Sequence, residues 1–505
     1  MTTFITSPSN LQNTFRSPAA LLRPWVWLIA GVAITALVGT RFNVGLLGWV
    51  AAVPWLVYLR SSSGWRSRVL LLGALQVGMF LQILKIVTEP IPWIFAPMFS
   101  VPMALGAGLL YLGFEWGRRR LGDGWGLILF PAMATAIEWI GWRSSEFGSW
   151  GAAAYTQIDN LPLLQTTALV GLSGIALLTS TVAALVALLV VERPSMARLP
   201  AILTVATLVV AAHIYGSFRI FSDLPGPTLP VAAIVSDVGM GSGGLPSDEE
   251  LRQANEDLFA RTVLAAERGA QLVAWNEGAT AISKADEAQF LARGSGISAD
   301  YGIDLVLAYV VPLDGMKLFE NKYVWLTPQG EAETYFKHHP VPGEGSVRGE
   351  EVIRVLDRPY GQVAGALCYD YDFPTLARQH ARGGAGLVVV PSSDWKGIDP
   401  YHTQMARVRG IEGGFSVLRP VRWATSGAYD ALGRARATMS FFEDNDRIMM
   451  AHLPTGHVDT LYTHIGDLLP AICLGFTLLG FGIAWRRRSE ADQLAMQGSP
   501  AGKSM

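Results

Sequence analysis

Three polar residues share one context: each ends a short, strongly apolar run. Glu277 follows Gln-Leu-Val-Ala-Trp-Asn, Cys368 follows Gly-Gln-Val-Ala-Gly-Ala-Leu, and Asp394 follows Gly-Leu-Val-Val-Val-Pro-Ser-Ser. Lys337 sits where Thr-Tyr-Phe runs into a Pro/Gly-rich loop. A thiol, a carboxylate and an ammonium are the parts of nucleophilic acyl transfer. The carboxylate takes the thiol proton, sulfur attacks a carbonyl, and the cation stabilises the oxyanion. Each residue alone has an ordinary alternative, as a solvated surface charge or an inert buried thiol. Their combination carries the reading. Cys368 is the one cysteine outside the apolar spans; Cys473 falls inside one and reads as packing. Two cysteines cannot build a disulfide scaffold or a cysteine-rich metal site. His338-His339 lacks a third ligand nearby, so no metal site is expected, and His402 reads as a residue that orients a loop by hydrogen bonding.

The elements that position these residues alternate between strand and helix. Strands are expected at 230–236, 271–275, 303–311, 322–327, 362–367 and 386–390, with helices at 248–269, 375–382 and 402–412. Such alternation over about 240 residues indicates an α/β domain, whose sites form at the carboxyl ends of strands.

The rest of the chain has another texture. Of the 505 residues 50% are hydrophobic and 16% charged, against about 25% charged in soluble domains. The apolar residues gather at the two ends of the chain. Eight spans are expected, at 24–40, 43–59, 68–87, 92–114, 124–141, 162–191, 199–217 and 467–485, the first two short. Arginine clusters at 16–23, 60–68, 118–120, 193–198 and 486–488 fall on one side of an eight-span arrangement, which the positive-inside rule places in the cytoplasm. The expected organisation is thus a seven-span domain over 1–220, an extracytoplasmic domain over 221–465, an eighth helix over 466–488 and a cytoplasmic tail over 489–505, with both termini cytoplasmic. The carboxylates Glu115 and Glu138 fall in or near spans; Glu138 is a candidate partner of Arg143. The net charge of -2 gives no basic footprint for nucleic acid.

Taken in chain order, Trp275-Asn276-Glu277-Gly278, Tyr335-Phe336-Lys337 with Val341-Pro342-Gly343-Glu344, and Cys368-Tyr369-Asp370 resemble the Glu-Lys-Cys triad motifs of the nitrilase (carbon-nitrogen hydrolase) superfamily. Asn321 and the segment His402 to Glu412 are similar as well. With eight spans around such a domain, and with Trp150 and Tyr155 to Asp159 in the membrane part, nearly the whole chain resembles the bacterial apolipoprotein N-acyltransferase family. The resemblance implies an αββα sandwich and a ping-pong reaction in the inner membrane. A phospholipid would donate the acyl chain and a diacylglyceryl-cysteine lipoprotein would accept it, with no cofactor and as a monomer. It assigns Glu277 as base, Lys337 and the backbone of Tyr369 to the oxyanion, and Cys368 as nucleophile. Glu344 and Asp370 support them, and Trp275, Asn321, Trp395 and His402 belong to substrate-binding or loop positions. The chain departs from the family pattern where the Lys-to-Glu spacing is one residue shorter, where Asp370 replaces a glutamate, and at Ser393 to Gly397 and Thr425 to Gly427. These loops leave open a membrane-anchored amidase, a transferase with another amine acceptor, or an inactive binding module.

Overall fold

The computed structural model describes residues 23–192, 195–239, 244–314 and 317–497. Arg16, Arg193 and the end of the C-terminal tail lie outside the described residues.

Every expected span carries an apolar helix. Six helices among the described residues are long and apolar enough to cross a membrane: Trp65–Leu84, Trp93–Leu121, Asp123–Ser144, Leu172–Val191, Met196–Ile220 and Leu468–Arg487. The first two expected spans are shorter, Pro24–Leu37 and Gly45–Ser61. At a rise of about 1.5 Å per residue, the first reaches only about 21 Å. The expected span at 162–191 starts later than its hydropathy suggests. Two single-turn helices, Leu161–Leu164 and Thr167–Val170, precede Gly171, whose φ of +66° stops the helical path before Leu172.

The bundle packs around Trp55, Leu71, Leu75, Tyr111, Phe114, Leu129, Phe130 and Ala484. Its arginine-bearing end is tied by ion pairs. Glu115 accepts from Arg118 at 2.9 Å and Arg119 at 2.6 Å, and Arg60 reaches Asp123 at 2.9 Å. Glu138 does not pair with Arg143. Its carboxylate accepts the Ala153 N–H at 2.8 Å, while Arg143 bonds Asp467 at 2.8 Å. The arginine is thereby committed to the start of the last helix.

Among the described residues, the segment between the membrane helices holds fourteen strands: β1 (Thr228–Ile234), β2 (Leu272–Trp275), β3 (Asp304–Asp314), β4 (Leu318–Thr327), β5 (Gly330–Phe336), β6 (Leu356–Arg358), β7 (Gly361–Gly365), β8 (Leu387–Val389), β9 (Ser392–Ser393), β10 (Ser416–Arg419), β11 (Val421–Arg422), β12 (Thr425–Tyr429), β13 (Ala435–Ser440) and β14 (Ile448–Pro454). They form two six-stranded sheets, ordered β14-β1-β2-β3-β4-β5 and β13-β12-β10-β8-β7-β6, with β9 and β11 as a small separate ladder. Each large sheet has three parallel strands flanked by antiparallel ones.

Period-two alternation sorts the side chains into layers. In β1, Leu229, Val231 and Ala233 face the second sheet, where Val363, Leu387 and Leu418 share the facing side. Ala232 and Ile234 face the helices Asp248–Glu267 and Glu287–Tyr301, among Phe259 and Phe290. The first of these helices opens with a capping box, Ser247 and Glu250 bonding reciprocally. Helices Pro374–Arg382 and Tyr401–Gly413 cover the second sheet, completing an αββα sandwich. The sheets approach closely where Gly365 ends β7. A Cβ there would come within 2.3 Å of the Tyr323 hydroxyl, so only glycine admits this approach.

Candidate active site

Cys368 begins the 3-10 helix Cys368–Asp372, three residues beyond the end of β7. Its N–H bonds Pro391 O at 2.9 Å, and its φ is +45°. A side chain rarely adopts that backbone region without being held there. Here the turn aims the thiol across the carboxyl ends of the strands. The site is almost dry, with Cys368 4%, Glu277 5% and Lys337 2% exposed.

Glu277 lies two residues beyond β2 and is fixed through both oxygens. Oε1 accepts from Lys337 Nζ and Asn321 Nδ2, each at 2.8 Å, and Oε2 accepts from Ser393 N at 3.0 Å. Lys337 follows β5, with its N–H on Asn321 O at 2.9 Å. Nζ donates to Glu277 at 2.8 Å and to Glu344 Oε2 at 2.7 Å. Asn321 links the same two carboxylates, reaching Glu344 Oε1 at 2.8 Å. Glu344 also accepts the N–H of Val341, which closes its loop. Burial works against the Lys337 charge, but Glu277 and Glu344 outweigh it and hold the ammonium well above its ordinary range. The thiol is pushed up by burial and then by Glu277 and Asp394, against the pull of Lys337 and Arg419. As a nucleophile Cys368 would start from the thiol and would need a base to take its proton.

A second polar group stands on the other side of the thiol. Cys368 Sγ lies 3.7 Å from Asp394 Oδ1 and 3.9 Å from Ser393 O. Arg419 holds both oxygens of Asp394, at 3.0 and 3.2 Å. His402 Nδ1 meets Asp394 at 2.8 Å, and its Nε2 lies 3.0 and 3.1 Å from the Asp372 oxygens. Donor atoms of Cys368, Asp394 and His402 all lie within 4.8 Å of one another. This set suits an ion network better than a metal. Arg419 already occupies Asp394, and despite the cost of burial, Asp372 and Asp394 raise His402 to about 9, so the imidazole that a metal requires neutral carries a proton. Burial opposes the charge on Asp394, but Arg419 and His402 hold its carboxyl far below the usual range.

The remaining expected residues divide. Asp370 is buried beneath the triad, where it accepts Tyr335 OH at 2.8 Å and His339 N at 2.7 Å and so ties the lysine strand to the cysteine turn. The Tyr369 ring points to the membrane part, its hydroxyl on Glu146 O at 2.9 Å. Trp275 does not line the site. It faces the helix layer, packs on Phe259 and Phe290 and bonds Thr262 Oγ1 at 2.9 Å, because alternation along β2 turns it away from the facing sheet. Trp395 is bound to the membrane domain through Ile86 O at 2.7 Å. Sequence reasoning missed Arg419, Arg422 and Asp372. Arg422 bonds Ser393 Oγ at 2.9 Å and Val238 O at 2.8 Å, clamping the residue whose N–H holds Glu277. Glu344 also lines a cleft of about 750 Å³, with Trp139, Trp142 and Arg143 on its membrane side and Arg348 on the other.

A buried thiol on a strained turn, flanked by a lysine-bound glutamate at the strand ends of an αββα sandwich, has the parts that nucleophilic acyl transfer requires, here joined to a bundle of apolar helices. The carbon-nitrogen hydrolase family model matches residues 194–465, over half of the chain, and that of the apolipoprotein N-acyltransferase N-terminal domain matches residues 30–185. The chain belongs to the carbon-nitrogen hydrolase family, with the membrane domain of apolipoprotein N-acyltransferases joined to it. It is similar to the apolipoprotein N-acyltransferase of Geobacter metallireducens, 24% identical over 77% of this chain and 76% of that protein. That of Gloeobacter violaceus is 27% identical over 90% of this chain and 94% of the other. Among solved structures, an amidase from Nesterenkonia sp. is 21% identical, covering 48% of this chain and 94% of its own at a TM-score of 0.39.

Proposed function

We propose that the chain transfers an acyl chain from a membrane phospholipid to the N-terminal amine of a diacylglyceryl-cysteine lipoprotein, through a thioester on Cys368. The observation that carries this reading is the joining of Cys368, Glu277 and Lys337 in one dry site to a membrane bundle. Water would hydrolyse a thioester, so a buried thiol beside lipid suits transfer better than hydrolysis.

In the first half-reaction Sγ attacks the ester carbonyl while Glu277 takes its proton. Lys337 and the Tyr369 N–H stabilise the oxyanion, each such donor contributing roughly 10²–10³ in rate. The C–O bond then breaks, the lysophospholipid oxygen takes the proton back from Glu277, and the thioester remains. In the second half-reaction the lipoprotein amine attacks the thioester. Glu277 accepts the amine proton and passes it to sulfur as the C–S bond breaks, so that Cys368 leaves as the thiol. Glu344 holds the far side of Lys337 throughout.

On this reading the catalytic domain lies outside the cytoplasm of a bacterial inner membrane with both termini inside, a topology supported by the arginine-rich helix ends under the positive-inside rule. Intact mass after incubation with phospholipid tests the chemistry. A hydroxylamine-sensitive acyl adduct is expected on the native chain and absent from Cys368→Ala. No adduct on a folded preparation with several phospholipids would overturn the reading. Delivery of the bound acyl chain to a diacylglyceryl-cysteine peptide, and not to unrelated amines, tests the acceptor.

A further inference from the structure

The Asp394 side of the thiol has no part in the steps above, yet it is built as carefully as the Glu277 side. A buried line of polar contacts runs from the membrane domain to sulfur. Trp150 Nε1 donates to Asp372 Oδ2 at 2.7 Å, and Ser149 N and Oγ both donate to Asp372 O at 2.8 Å. Asp372 faces His402 Nε2, His402 Nδ1 faces Asp394, and Asp394 faces Cys368 Sγ. We propose that His402 is a positioning residue: a doubly hydrogen-bonded cation that balances Asp394 beside the thiol and couples the nucleophile to the Ser149–Trp150 loop. The proposal rests on Cys368 being the nucleophile of the reaction proposed above.

The geometry of the ring argues the charge. A neutral imidazole has one N–H, but here both nitrogens face carboxylate oxygens at 2.8 to 3.1 Å. Only the doubly protonated ring donates to both. Arg419 Nη2 also lies 2.9 Å from Nδ1. A neutral ring accepting from it would leave the Nδ1 lone pair facing Asp394 Oδ1. The charged groups around His402 come from four directions. Asp372 and the Cys368 thiol come from the 3-10 helix, Asp394 from the segment after β9, and Arg419 from β10. From its own helix, Arg409 is turned to Glu412 and Tyr155. The Trp150 ring stands 5.3 Å away from the membrane side. Asp372, Asp394, His402 and Arg419 thus sum to zero. Loss of the His402 charge leaves one net negative charge next to the thiol, and a like charge disfavours the thiolate and the sulfur's developing charge.

The test is the pH profile of Cys368 alkylation by iodoacetamide on the full chain in detergent, with Cys473→Ala as background. His402→Gln is expected to lower the alkylation rate at pH 8 about tenfold, equivalent to raising the thiol by about one pH unit. The double variant His402→Gln/Asp372→Asn restores the charge sum and is expected to return the profile toward the parent. Packing damage would make the double variant no better than the single one, and that result, or an unmoved profile in His402→Gln, overturns the proposal. If His402→Gln does not fold, folding of the double variant with a parental profile supports it, and a shifted profile or failure to fold overturns it. Trp150→Phe removes the loop's donor to the Asp372 carboxylate, leaving the Ser149 donors to Asp372 O, and is expected to slow alkylation several-fold at unchanged melting temperature; an unchanged rate overturns the coupling to the membrane loop. Alkylation needs neither lipid nor lipoprotein, so failure of the proposed transfer activity is read separately.

Discussion

At the scale of single residues, the site has more acid than one base requires. Glu277 and Glu344 share one ammonium, and each is bonded by Asn321. Glu277→Gln keeps an oxygen acceptor for Lys337 and Asn321 but removes the proton acceptor. Thioester formation is expected to fall about 10²–10⁴-fold with folding nearly intact, measured as the rate of adduct formation by mass. Lys337→Met does something else, because it strands the buried carboxylate of Glu277 and the half-buried one of Glu344. Removing one partner of a buried pair costs about 3–5 kcal/mol, so this variant is expected to lose stability as well as activity, seen as a lower melting temperature. His402 gives a pH signature. Its folded value is raised to about 9, against about 6.5 unfolded. The stability it contributes is fully present below about pH 6.5 and is lost as the pH rises through 9. Melting temperature is expected to decline over that window, and His402→Gln is expected to remove this part of the decline. The placement of Glu277 and Cys368 just beyond strand ends was legible in the sequence because each ends an apolar run. Arg419 and Arg422 were not, since an arginine inside a strand gives no sign of which loop it will clamp.

At the scale of elements, the sheet ends were readable and the small ladder was not. The strands through 230–236, 271–275 and 386–390 fall where apolar runs predict them, because buried parallel strands leave near-continuous hydrophobic runs. Trp275 sits at the end of such a run, and a continuous run conceals which face a residue takes; alternation from Ala274 settles it. The β9–β11 ladder spans two residue pairs, Val421 with Ser392 and Arg422 with Ser393. No periodicity can announce an element of that length. It nevertheless positions both sides of the thiol, since Ser393 N holds Glu277 and Ser393 O faces Cys368 Sγ. Arg422→Ala removes the bonds to Ser393 Oγ and Val238 O. Acylation is expected to slow about tenfold through misplacement of Glu277, while Glu277→Gln/Arg422→Ala is expected to be no slower than Glu277→Gln alone. Additive losses in that cycle would show that Arg422 acts elsewhere.

At the scale of the whole molecule, the catalytic domain is fastened to the membrane bundle by hydrogen bonds close to the reacting sulfur. Trp395, one residue after Asp394, reaches Ile86 O at 2.7 Å, Tyr369, one residue after Cys368, reaches Glu146 O at 2.9 Å, and Trp150 reaches Asp372 at 2.7 Å. Further from the site, Gln165 Nε2 bonds Leu432 O at 2.9 Å and Glu412 accepts Leu172 N at 3.0 Å. Hydropathy located the helices but could not announce these contacts, which join residues up to 309 positions apart. Their placement suggests that the junction sets where a lipid carbonyl meets the thiol. Trp395→Phe keeps most of the ring and loses only the bond to Ile86 O. Thioester formation from phospholipid in bilayers is expected to drop several-fold, while alkylation of Cys368 by a small water-soluble reagent is expected to stay within twofold, because that reagent does not use the membrane route. An equal fall in both rates would mean that Trp395 supports the thiol itself and that the junction does not direct the lipid.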